Sequence, residues 1–169
     1  MAVRVLLLLA VIGYIHCQVL KLSCQQVRQF VDGHNSRREQ LLKGTVPGQP
    51  AAKTMTYMVS FTWISTLDQN GSPAWFNEYK DYTYGKMKPS DFTGPKDIGH
   101  YTQMAWADTT YVGCAISQWS IDGYNKYFVV CNYGPPGNYM DQYPYPSGGP
   151  GSSLTCKTGD CSRLYGDNC

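Results

Sequence analysis

Cys114 and Cys131 lie eight residues to either side of the dipeptide Asp122-Gly123. Asp-Gly between two apolar runs is a strong signal for a two-residue hairpin turn, because both central positions need positive φ. The flanking runs suit strands. Tyr111 to Trp119 alternates apolar and polar residues, and Asn125 to Tyr133 is rich in aromatic and β-branched residues. With the turn centred between 122 and 123, facing residue numbers sum to 245, as 114 and 131 do. Counting back from the hydrogen-bonded pair Ile121–Tyr124 puts the cysteines on a non-hydrogen-bonded pair. There the Cα atoms approach to about 4.5 Å, within the range a disulfide accepts. The sequence thus predicts a hairpin closed by a Cys114–Cys131 bond.

The start of the chain says where such a bond would form. Met1-Ala2-Val3-Arg4 carries one positive charge, an apolar run follows from Val5 to Ile15, and His16-Cys17 ends it. This pattern reads as a secretory signal peptide over residues 1–17, too short to span a bilayer. Without Cys17 the seven cysteines become six: Cys24, Cys114, Cys131, Cys156, Cys161 and Cys169. An even number in an exported chain implies disulfides. The remaining length suits one domain with one core. A net charge of only +2 argues against a nucleic-acid surface or a polybasic membrane patch. Fourteen tyrosines suit a secreted body with amphipathic side chains on its surface.

Ser23 and Gln26 have capping-box spacing, and Val27, Phe30, Val31, His34, Arg38, Leu41 and Leu42 recur at helical intervals up to a Gly44 cap. The pattern predicts a helix over 24–43. Val59 to Thr66 reads as a strand. Ser72-Pro73 reads as an N-cap and first helical position, with a helix over 74–82. Residues 98–106 read as a short helix with an apolar stripe of Ile98, Tyr101, Met104 and Ala105. Asn70-Gly71-Ser72 is an N-glycosylation sequon at Asn70, and Pro73 would reduce its use. The body is expected to span 18–142. In the tail, 143–169, Pro, Gly and Ser dominate and the apolar pattern vanishes. Its three cysteines require one bond outside it, to Cys24. Pairing among Cys24, Cys156, Cys161 and Cys169 stays open among three arrangements, each tying the tail to the first helix.

Gly99-His100-Tyr101-Thr102-Gln103-Met104-Ala105-Trp106-Ala107-Asp108-Thr109 and Phe128-Val129-Val130-Cys131-Asn132-Tyr133-Gly134-Pro135-Pro136-Gly137-Asn138-Tyr139 resemble, in order and spacing, the two signatures of the CAP superfamily. These are the cysteine-rich secretory proteins, antigen 5 and plant pathogenesis-related protein 1. His34-Asn35-Ser36-Arg37-Arg38 resembles the family's first-helix motif. Trp75-Phe76-Asn77-Glu78 resembles the helix that supplies one of its acids. The tail, with Cys161-Ser162-Arg163-Leu164-Tyr165 and Cys169, resembles arthropod venom-allergen and salivary antigen 5 proteins. The resemblance implies an α+β fold, an α-β-α sandwich around a small antiparallel sheet. It also implies a central cleft, usually lined by two histidines and two acids and in some members holding a divalent metal. Glu78 matches one acid and His100 one histidine; His34 belongs to the first-helix motif. Between Ala51-Ala52-Lys53-Thr54-Met55 and Val59, roughly fifty residues of the usual pattern are missing, judged against ordinary domain lengths. They include a long helix, a cleft histidine and the other acid. The expectation is a truncated sandwich with one helix lost.

The chemistry that remains is limited. Zinc takes four ligands, or three plus water. Glu78 and His100 supply two, and Gln103 on the same face is an amide, so no metal or cofactor is expected. The two side chains are expected to hydrogen-bond across a half-lost cleft. A hydrolase needs a nucleophile, a base and an oxyanion site. His100 beside Thr102 or Ser117 is the nearest approach, and nothing orients the histidine. Relatives that carry sterols or fatty acids suggest a lipid channel, which Trp75, Phe76, Tyr79 and Tyr82 would line unless they pack as core. The leading expectation is a secreted, non-enzymatic, venom- or salivary-allergen-like effector. It would touch a host or other extracellular protein, and would be neither a nucleic-acid binder nor an integral membrane protein.

Overall fold

The structure is a computed structural model and describes residues 18–60, 71–166 and 169. The signal-peptide segment, Asn70 and most of the strand expected over 59–66 lie outside the described residues. Among the described residues, four strands and three α-helices appear in the order β1 (Gln18–Val19), α1 (Cys24–Leu42), β2 (Val59–Ser60), α2 (Gly71–Asn77), α3 (Gly99–Met104), β3 (Tyr111–Ile121) and β4 (Tyr124–Gly134).

The hairpin has the register read from its turn. Ile121 faces Tyr124 and Cys114 faces Cys131, without interruption to Tyr111 facing Gly134. Asp122 and Gly123 take φ of 49° and 78°, as a primed turn requires. The Cys114–Cys131 disulfide joins Cα atoms 4.0 Å apart, the close approach of a non-hydrogen-bonded pair. Strand β1 pairs antiparallel with β3 at 117–118 and β2 pairs parallel with it at 111–112. Because β4 takes the whole of one edge of β3, β1 and β2 share the other.

Helix α1 covers one face of this sheet. Its capping box is formed, with Ser23 accepting from the Gln26 N–H and Gln26 bonding back. Val27, Phe30 and Val31 bury against Met58, Val112, Cys114 and Ile116. Burying each such side chain contributes about 1.5–3 kcal/mol. A second cluster gathers Leu41 and Leu42 with Met55, Phe76, Tyr82, Met87, Tyr101, Met104 and Trp106. On the opposite sheet face Phe128 is 59% exposed and Val130 40%. This is the face that the expected loss of a helix would uncover.

Two expectations need correction. The second helix begins at Gly71, not Ala74, and ends at Asn77. Glu78–Lys80 form a 3-10 turn, so Ser72 lies inside the helix and not at its cap. The tail also contributes to the core: Tyr145 and Leu154 are buried. Backbone hydrogen bonds from Lys53 to Pro146, Thr155 to Met55 and Tyr57 to Thr155 lace the tail to residues 51–57. Alternating chain-to-chain bonds, and not helical or strand periodicity, place those two apolar residues, so a periodic pattern could not reveal them. The remaining cysteines pair as Cys24–Cys169 and Cys156–Cys161.

Buried polar groups lock α1 to its surroundings. Asn35 exchanges two hydrogen bonds with the backbone of Met58. Arg38, fully buried, donates to the carbonyls of Thr56, Met104, Trp106, Ala107 and Thr109 and to the Thr56 hydroxyl. His34, also fully buried, has Nδ1 2.8 Å from the Phe30 carbonyl and Nε2 2.9 Å from the Tyr133 hydroxyl. A carbonyl can only accept, so Nδ1 carries the proton and Nε2 accepts from Tyr133. Burial holds this imidazole down at about 4. The unfolded chain therefore binds a proton that the folded chain refuses between pH 6.5 and 4. Stability from this group is complete above pH 6.5 and falls by about 3 kcal/mol on acidification to pH 4. Denaturant unfolding at the two pH values, compared between wild type and His34→Gln, is expected to show that drop in wild type beyond any change in the variant.

Candidate functional site

Glu78 opens the 3-10 turn after α2, and His100 is the second residue of α3. One Glu78 oxygen lies 2.8 Å from His100 Nδ1, and the other accepts the Tyr101 N–H at 3.0 Å. One carboxylate thus holds both the side chain and the backbone at the start of α3. The hydrogen bond to Glu78 raises the His100 pKa above its ordinary value, against the opposing effect of partial burial. The Trp75 indole stacks on the imidazole, with centroids 4.9 Å apart and planes within 5°.

Asp97 is the residue that sequence reasoning missed. Its Oδ2 stands 3.8 Å from His100 Nδ1. Asp97 lies in the loop before α3, outside the helix, so helical spacing gave no signal for it. Donor atoms of Glu78, Asp97 and His100 lie within 4.8 Å of one another. Three donors plus water is the coordination of an open zinc site. Here, however, Nδ1 and Glu78 already satisfy each other, and a metal would have to break that pair. As arranged, Glu78 and His100 are hydrogen-bonded to each other, and Asp97 stands beside them at ion-pair distance.

The rest of the first signature is structural. Thr102 Oγ1 donates to Asn138 Oδ1 at 2.8 Å, and Asn138 Nδ2 donates to the Gly99 carbonyl. Gln103 accepts the Gly137 N–H at 2.8 Å and donates to Thr109 Oγ1. Thr102 and Gln103 therefore stitch α3 to the loop after β4. A Cβ on Gly137 would sit 2.6 Å from Trp106 Cγ, and Trp106 is buried. Gly137→Ala is expected to cost about 1–3 kcal/mol through this clash, read as a lower urea midpoint at unchanged slope.

A cleft of about 480 Å³ opens between these groups and the hairpin, with Trp75, Asp97 and His100 on one wall and 128–131 on the other. Of the aromatic residues proposed for a lipid channel, Phe76 and Tyr82 are core members and Tyr79 packs against them. Trp75 alone reaches the cleft. A second pocket, between α1 and β3, has about 10 Å³, too little for an acyl chain.

A hairpin closed by its own disulfide, one helix across the sheet and a histidine–carboxylate cleft at the sheet edge define a class of cysteine-bonded α+β domains. The chain belongs to the CAP family: the model described as "Cysteine-rich secretory protein family" matches residues 25–133. Venom allergen 5 of Rhynchium brunneum is 31% identical, with 77% of this chain and 78% of that protein covered. That alignment runs over 177 positions, of which 77% of 169 residues fills roughly 130. The relative therefore carries nearly fifty positions that this chain lacks. Scoloptoxin SSD552 of Scolopendra dehaani is 30% identical over 88% of this chain and 86% of its own length. The solved structure of NaASP2 with Zn2+ shares the fold at a TM-score of 0.62 and 23% identity, covering 76% of this chain and 89% of that one.

Proposed function

We propose that this chain is a secreted, non-enzymatic CAP-family effector that acts by contact with an extracellular protein. The observation that carries this reading is the hairpin surface. Ile121, Tyr124, Phe128 and Val130 share one face of two adjacent strands and are all exposed, with Tyr124 at 72%. Contiguous apolar and aromatic surface of this kind marks interaction sites, because it buries much area at low entropic cost. The relatives are named as venom allergens and scoloptoxins, and three disulfides suit an oxidising destination.

The competing enzyme reading has little to stand on in the geometry. The nearest hydroxyl of the signature, Thr102, is turned into the Asn138 contact, away from any role as nucleophile. Purified protein supplied with zinc is expected to hydrolyse generic peptide and ester substrates no faster than buffer. Turnover above buffer that disappears in His100→Ala would overturn the non-enzymatic part. For the contact part, plasma or haemolymph proteins are expected to form a stoichiometric complex that elutes early on size exclusion. Tyr124→Ser/Phe128→Ser should abolish it, and absence of a complex with wild type would sink that part.

A further inference from the structure

The cleft wall formed by β4 is unusual in its composition. Phe128, Val129, Val130 and Cys131 all line it, although successive strand residues point to opposite faces. A cleft that runs along the edge of the strand meets residues of both faces in this way. That edge is open: among the described residues, β4 pairs with β3 and with no other strand. Its phase follows from the hairpin. Cys114 and Cys131 form a non-hydrogen-bonded pair, so the backbone N–H and C=O groups of Tyr127, Val129, Cys131 and Tyr133 point away from β3. Edge strands are ordinarily protected by a proline, a bulge or inward charges. Strand β4 has no proline, an unbroken register and one charged residue, Lys126. The facing wall is acidic. Asp97 and His100 line it, Glu78 is hydrogen-bonded to His100 outside the lining, and no lysine or arginine pairs with either carboxylate among the described residues.

We propose that the cleft is a strand-addition site. An extended segment of a partner protein pairs with the outer edge of β4 and directs a basic side chain toward Asp97. The polar backbone edge gives the register, the exposed Phe128 and Val130 take alternate apolar side chains, and the Asp97 carboxylate selects positive charge. This inference rests on the contact-based function above and names the chemistry of the partner.

The probe is a synthetic heptapeptide, acetyl-Val-Thr-Val-Arg-Val-Thr-Val-amide, and the readout is amide hydrogen exchange by NMR on the whole folded protein. Millimolar peptide is expected to slow exchange about tenfold or more at Tyr127, Val129, Cys131 and Tyr133. The amides of Lys126, Phe128 and Val130, already bonded to β3, should not change. Val129→Pro removes an outward N–H without removing a β3 bond, a place where edge strands accept proline, and should weaken binding about tenfold or more. Asp97→Lys, or Glu for the peptide's Arg, should weaken it likewise.

No protection of the edge amides in wild type overturns the proposal, whatever the proline variant does to folding. Equal binding by a folded Val129→Pro also overturns it. Binding indifferent to both charge changes overturns the basic partner. The plasma complex is a separate measurement. If it survives Val129→Pro, strand addition falls and the contact function stands. If no complex forms but the edge amides are protected, the contact function falls alone.

Discussion

Arg38→Met is expected to yield no folded protein from a secretory host. Six hydrogen bonds leave this one guanidinium, five of them to main-chain carbonyls drawn from residues 56 and 104–109. Methionine fills similar space but donates nothing. Each buried acceptor left without a donor costs about 1–3 kcal/mol, and several are orphaned at once. The sum reaches the whole stability of a typical domain, about 5–15 kcal/mol. Burial lowers the guanidinium pKa to about 9, so the cation persists at neutral pH and its hydrogen bonds are charge-assisted. Arg38→Lys is expected to rescue little, because three donors on a point charge cannot span a planar fork of five. Thermal melting of material recovered from the medium decides the matter. A cooperative transition in Arg38→Met within a few degrees of wild type would refute it.

The second large effect concerns the disulfide that closes the longest loop. Cys24–Cys169 spans 145 residues, Cys114–Cys131 spans 17 and Cys156–Cys161 spans 5. Loop-closure entropy in the unfolded chain gives about 5, 3 and 2 kcal/mol respectively. Cys24→Ser/Cys169→Ser should therefore lower the melting temperature most, by about 10–20 °C in a chain of this size. Cys156→Ser/Cys161→Ser should lower it least. Calorimetry of the three double variants checks the order. A reversal would show that local packing, and not chain entropy, sets what each bond contributes.

The elements that could be read from residues alone were those with local causes. The hairpin follows from Asp122-Gly123, and its register from the symmetric cysteines. Helix α1 follows from its capping box and a stripe that buries Val27, Phe30, Val31, Leu41 and Leu42. What escaped has distant causes. The second helix stops at Asn77, where Glu78 turns to serve both His100 and Tyr101. No local propensity encodes that demand. Tyr145 and Leu154 enter the core because the tail bonds to residues 51–57, a pairing without periodicity. Glu78 and His100 could be named from their motifs, while Asp97 and the Trp75 stack emerge only when α2, α3 and the loop before it are brought together. Arg38 looked like one more residue on the apolar stripe, since a fully satisfied buried cation leaves the same spacing as a leucine.

Residues 56 and 58, clamped by Arg38 and Asn35, have one further consequence. The expected deletion falls just before Val59. In this chain the first helix grips the few residues left in that interval, and so sets where β2 starts.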